Sequence, residues 1–115
     1  MVLPNNMFEL FNQINSDNLF EKLIAQLNKD FYLANIDEKF DEFIELNDLK
    51  SELNIIVSTL FNTSYDDYLN LLYRVDVSEK DLLKIKENDV ATQIEQVTFL
   101  ILKREYQKVW FKSNT

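Results

Sequence analysis

Apolar residues recur at helical spacing along almost the whole chain. Met7, Phe8, Leu10, Phe11 and Ile14 follow i, i+3/i+4 spacing and predict a short amphipathic helix over 5–14. Ser16-Asp17 reads as the N-cap of a second helix, in which Leu19, Leu23 and Leu27 form one line and Phe20, Ile24 and Phe31 the next. Asn35 and Glu38 have capping-box spacing, ahead of a narrow apolar edge of Phe40, Phe43 and Ile44. Leu49, Leu53, Ile56, Val57, Leu60 and Phe61 predict a helix over about 48–61, since their spacing outweighs the low propensity of the β-branched run at 55–57. Ser64 with Asp67 signals another start, followed by Tyr65, Tyr68, Leu69, Leu72 and Tyr73. Tyr73 to Val77 alternates and predicts an extended turn, and Ser78 with Asp81 starts a short helix to Lys84 or Ile85. Asn88-Asp89 caps the last and longest helix, which runs to about Lys112. Residues 1–4 read as a frayed start, and no repeat or linker interrupts 1–115. The expectation is an all-α, compact single-domain bundle of five or six helices with a long C-terminal helix.

That last helix changes face. At 100° per residue, Ile94, Val97 and Ile101 fall within about 40° of Val90, an aliphatic seam. Arg104, Lys108 and Lys112 then occupy the continuation of that seam. Phe99, Tyr106 and Trp110, flanked by Leu102, lie roughly half a turn away. One flat core cannot cover both sides. Either the first helix covers the aromatic side through Phe8 and Phe11, or another chain does. Trp, Tyr and Arg dominate interface energetics, so Phe99, Leu102, Arg104, Tyr106, Lys108 and Trp110 are the expected partner-binding set.

Composition narrows the chemistry. The 115 residues contain no Gly, His or Cys and one Pro. Without Cys there is no disulfide, thiolate nucleophile or thiolate metal ligand. Without His the serine triad and the Glu-x-x-His di-iron site cannot be written. Without Gly the phosphate-binding loops and the EF-hand turn lose their required backbone. Hairpin turns also favour Gly, which argues against a strand-rich fold. Several of the thirteen Asn residues, Asn28, Asn35, Asn47, Asn62 and Asn88 among them, stand where helical patterns start or stop, and Asn is the usual substitute for Gly at a helix end. No apolar run approaches the roughly 20 residues needed to span a bilayer. No secretory signal pattern opens the chain, so a cytoplasmic location is expected.

Net charge is −8 and unevenly spread: 1–48 carries ten acids and three bases, 89–115 three acids and four bases. Asp37, Glu38, Asp41, Glu42, Glu45 and Asp48 predict a strongly acidic helix or turn. Such a surface fits either a solvated face or an immunity- or inhibitor-type decoy for a basic partner. The line Arg104, Lys108, Lys112 fits cations placed at a helix C-terminus, and without a wider basic patch nucleic-acid binding is not expected. Asp66-Asp67 and the Asp37, Asp41 pair supply too few converging oxygens for a metal, so neither metal nor cofactor is expected. A carboxylate enzyme would need a cleft holding an acid with a raised pKa.

The segments Tyr68-Leu69-Asn70-Leu71-Leu72-Tyr73-Arg74-Val75-Asp76-Val77-Ser78-Glu79 and Leu100-Ile101-Leu102-Lys103-Arg104-Glu105-Tyr106-Gln107-Lys108-Val109-Trp110 resemble small, functionally uncharacterised helical proteins of bacteria. The resemblance covers the C-terminal half and implies a helical fold without an activity. The functional expectation is therefore a non-enzymatic interaction module that binds a protein or a second copy of itself, with no membrane or nucleic-acid partner.

Overall fold

The computed structural model describes residues 2–115. Six helices follow one another: α1 (Met7–Asp17), α2 (Phe20–Leu33), α3 (Leu46–Thr63), α4 (Tyr65–Val75), α5 (Glu79–Leu83) and α6 (Val90–Ser113). No strand occurs among the described residues. Of the four residues expected to be frayed, Met1 lies outside those described, Val2 and Leu3 are exposed and Pro4 is buried.

Helix ends explain how the chain turns without Gly. The three residues with positive φ are Asn18 (56°), Asn35 (59°) and Asp76 (69°). Each ends a helix in the left-handed conformation, which Asn and Asp tolerate better than other side chains. Behind each, an aliphatic residue donates its N–H five residues back: Leu19 to Ile14, Ile36 to Phe31 and Val77 to Leu72, at 3.2, 3.0 and 3.1 Å. All three aliphatics are buried, so the same motif that stops the helix returns the chain to the core.

Several expected boundaries move for this reason. Asn35 closes α2 and does not cap a following helix, so residues 34–45 form a loop. Ser16 and Asp17 belong to the last turn of α1, not to the start of α2. Asn28 lies inside α2. The expected extended turn at 73–77 is instead the end of α4 with Asp76 as its left-handed cap. Asp89 and Ser78 do cap α6 and α5, accepting from the N–H of Thr92 and Asp81. Ser64 precedes α4 without a side-chain cap bond.

α6 is the axis of the bundle and packs against α1, α2, α3 and α4. Its buried residues are Ile94, Val97, Thr98, Ile101, Leu102, Glu105, Tyr106 and Val109. At 100° per residue they fill one arc of about 180°, from Val97 to Tyr106. The two apolar sides expected on opposite flanks are thus the two edges of one broad buried face. Its middle is held by Thr98 and Glu105, polar residues that the hydrophobic pattern passes over. Four surrounding helices cover what one flat layer could not.

Candidate functional site

The aromatic side of α6 is largely interior. Leu102 and Tyr106 are buried, and the Tyr106 hydroxyl donates to the carboxylate of Asp17 at the end of α1. Burial and the Asp17 charge both push that phenol above its ordinary pKa. Phe99 and Trp110 are half-buried and pack against the core. Trp110 meets Phe111 edge-on, with ring centroids 5.3 Å apart. The basic line turns inward to its own chain. Arg104 pairs with Asp76 at 3.0 Å, and Lys112 donates to Gln26 Oε1 at 2.6 Å. The expected set of six therefore does not share one free surface: Leu102 and Tyr106 are core, Arg104 and Lys108 are engaged, and Phe99 and Trp110 form its partly covered edges.

Lys108 reaches a polar cluster that sequence analysis missed. Its ammonium lies 2.7 Å from Asp30 Oδ2, 3.1 Å from Glu105 Oε1 and 3.2 Å from the Arg74 carbonyl. Gln26 Nε2 also donates to both Asp30 oxygens, at 3.3 Å. Asp30 and Glu105 are both buried. Burial, the hydrogen bond with Asp30 and the Asp30 charge push the Glu105 carboxyl up to about 9, against the opposing pull of Lys108. The shift favours the neutral form of Glu105, and the Lys108 ammonium bridges the two carboxyl groups. Neither Glu105 oxygen receives a well-aligned hydrogen bond, Lys108 approaching Oε1 as an ion pair at 3.1 Å, which adds to the penalty on the charged form. The available sign was positional: on the helical wheel Asp30 falls about 20° from Leu23, and Glu105 falls between Ile101 and Tyr106, at apolar positions where a charged residue needs a partner.

The acidic segment gives the opposite picture. Asp37, Glu38, Asp41, Glu42, Glu45 and Asp48 are all exposed, and none is ion-paired among the described residues. With Lys39 they give 37–48 a net charge of −5, from six acids and one base. The loop is pinned to α2. The Phe40 N–H donates to Asn28 Oδ1 at 2.8 Å, and Asn28 Nδ2 donates to the Phe40 carbonyl at 3.0 Å. The Phe40 ring is buried edge-on against Phe31 at 5.3 Å. Beyond this anchor the Asp41 carboxylate accepts from the Phe43 N–H at 2.7 Å, and the Ile44 N–H donates to the Asp41 carbonyl at 3.1 Å. The turn carries Phe43 outward with 83% of its surface exposed. Beside it, a groove of 810 Å³ runs between loop and helix, lined among others by Glu21, Ile24, Asp41 and Phe43. In the sequence Phe43 read as part of a narrow apolar edge with Phe40 and Ile44; which Phe is anchor and which is tip is decided by the Asn28 contact.

The buried carboxyl pair lines none of the surface grooves described for this fold. No cluster of three metal-ligating side chains occurs among the described residues, and no described helix is long and apolar enough to cross a membrane. No family model matches the chain, and no curated protein or solved structure matches it either.

Proposed function

We propose that this is a non-enzymatic protein-binding module whose working surface is the acidic segment 37–48, the loop with the first turn of α3, and that its partner presents a basic surface with an apolar recess. The observation that carries the reading is Phe43: a large apolar ring held out in solvent by an anchored turn, among carboxylates that form no ion pair among the described residues. An aromatic anchor surrounded by charge is the arrangement that gives affinity at the centre and steering at the rim. The anchoring lowers the ordering cost of binding, because the loop is already fixed through Phe40. Burial of Leu102 and Tyr106 within the chain counts against placing the surface on the aromatic side of α6. A second reading retains the end of that helix, where Trp110 is half-buried and its neighbour Phe111 is 49% exposed.

The test is affinity capture from the native cell with wild type, Phe43→Ala, the double variant Glu42→Lys/Glu45→Lys, and Trp110→Ala. The acidic-loop reading expects a basic partner that elutes with added salt, is lost with the first two variants and is kept by the third. Loss with Trp110→Ala alone, at unchanged folding, moves the surface to α6. A partner retained by all three ends both readings.

A further inference from the structure

Two grooves of opposite charge flank the exposed ridge of α2, and they meet at Ala25, which lines both. The groove on the loop side carries Phe43 and the carboxylates Glu21, Asp41 and Glu42, with Lys39 as its one cation. The groove on the other side, 300 Å³ in volume, runs between α2 and the end of α6. Ala25 and Val109 line it with apolar surface, and Lys22, Lys29 and Lys112 stand around them without a carboxylate. None of the three lysines is ion-paired among the described residues: Lys22 donates to Ser113 Oγ at 3.1 Å and Lys112 to Gln26 Oε1. In a chain of net charge −8 this is a basic surface with an apolar recess.

The two sides are disposed symmetrically about the ridge. At 100° per residue from Ala25, Lys29 and Lys22 fall about 40° and 60° to one side, and Glu21 and Asn28 about 40° and 60° to the other. Asn28 is the residue that clamps the acidic loop. The grooves therefore lie at the same height along α2, one against residues 21–28 and the other against 22–29. A two-fold axis parallel to α2, running in front of the ridge, keeps height and exchanges sides. Two copies set face to face about that axis place each acidic side on the other's basic side, twice over. Lys22 then opposes the other copy's Glu21, and Phe43 faces the other copy's recess. An antiparallel pairing would keep the sides and set acid on acid. Ala25, at the centre, is small enough to let the two ridges approach closely. A two-fold contact uses one surface twice and requires this kind of self-complementarity.

We infer that the basic partner of the acidic segment is a second copy of this chain, in a reversible two-fold dimer across α2 with Phe43 of each copy in the Lys22, Lys29, Lys112 groove of the other. The inference rests on the acidic-segment reading above and names its partner. The area makes the association weak. Fourteen residues of helix are about 21 Å long, so each copy covers on the order of several hundred Å², below the roughly 800 Å² per partner of a standard stable interface.

The experiment is sedimentation equilibrium of the purified chain over a concentration series into the millimolar range. It compares wild type with Phe43→Ala and two charge reversals, Glu21→Lys/Glu42→Lys and Lys22→Glu/Lys29→Glu. All five side chains are exposed, so helicity by circular dichroism stays unchanged. Wild type moves from 13.7 kDa toward twice that mass. Phe43→Ala and each reversal alone weaken the dimer by about tenfold or more. Glu21→Lys/Glu42→Lys does so although its net charge falls from −8 to −4, two for each substitution, which would strengthen an association limited by general repulsion. Mixing the two reversals restores association to about the wild-type affinity, because both contacts are again of opposite charge and the pair carries the total charge of two wild-type chains. A wild type that is monomeric throughout overturns the inference; if Phe43→Ala still loses a captured basic protein, the acidic-segment reading stands without it. A dimer indifferent to Lys22→Glu/Lys29→Glu, or a mixture that stays monomeric with each variant folded, overturns the inference as well.

Discussion

Asn28 stands mid-way along α2, and its carboxamide takes up both backbone groups of Phe40. No apolar substitute can offer a donor and an acceptor at that spacing. Removing it leaves an N–H and a carbonyl of a half-buried loop without partners, at about 1–3 kcal/mol if water does not replace them. Asn28→Ala should therefore lower stability by that order. It should also speed amide hydrogen exchange selectively at 36–44, with helical circular dichroism nearly unchanged. Uniform loss of protection through α2 and α6 would show that the clamp serves the core and not the loop. A second residue, Glu105, illustrates how burial changes chemistry. It holds its proton because a second negative charge beside Asp30 would have to be sustained in a nearly dry interior. Lys108, 2.7 Å from Asp30 and 3.1 Å from Glu105, opposes that shift without cancelling it.

At the scale of an element, α6 is informative because its amphipathicity is so broad. A helix on the edge of a bundle shows a stripe of about 100°; one surrounded by others shows a much wider apolar arc. Its interior positions should cost far more than its edges. Leu102→Ala leaves a cavity among α6 and its neighbours and should destabilise by about 2–5 kcal/mol. Trp110→Ala removes a half-covered ring and should cost clearly less, as read from midpoints of urea unfolding at constant m-value. Equal costs would mean that Trp110 is as much core as Leu102, and the second reading of the binding surface would go with it. The other helices show the complementary rule. α2 and α4 stop where Asn35 and Asp76 take the left-handed conformation, and the buried Ile36 and Val77 turn the chain inward.

For the molecule as a whole, Glu105 sets a pH dependence with a definite sign. Below the ordinary carboxylate range the folded and unfolded chains both hold the proton, and its contribution is fully present. Between that range and about 9 only the folded chain holds it. Unfolding then releases a proton, so stability falls as pH rises, with a limiting slope of about 1.4 kcal/mol per pH unit for one proton. Tm should decline steadily from mildly acidic to alkaline pH, and Glu105→Gln, which keeps the neutral shape, should flatten the decline. If wild type and Glu105→Gln have parallel profiles, Glu105 does not bind the proton. The remaining charge is arranged by region: acids crowd one segment, while three of the four cations of α6, Arg104, Lys108 and Lys112, are spent on Asp76, Asp30 and Gln26. The acidic loop therefore keeps a field that the rest of the molecule does not cancel.

The hydrophobic spacing determined by itself that the chain is helical, that it forms five or six helices and that the last is the longest, because period is a local property. The lack of Gly likewise pointed to Asn as the residue that ends helices: Asn35 does so, though its capping-box reading as a helix start fails, Asn28 and Asn47 lie inside helices, and Asn18, which ends α1, was not singled out. Three things were decided only by packing. One is that the two sides of α6 join into a single face, since this depends on how many neighbours surround the helix. Another is that Arg104, Lys108 and Lys112 answer groups 28 to 86 residues away. The third is that Phe40 is an anchor and Phe43 a tip, because two identical side chains three positions apart are told apart only by what each one meets.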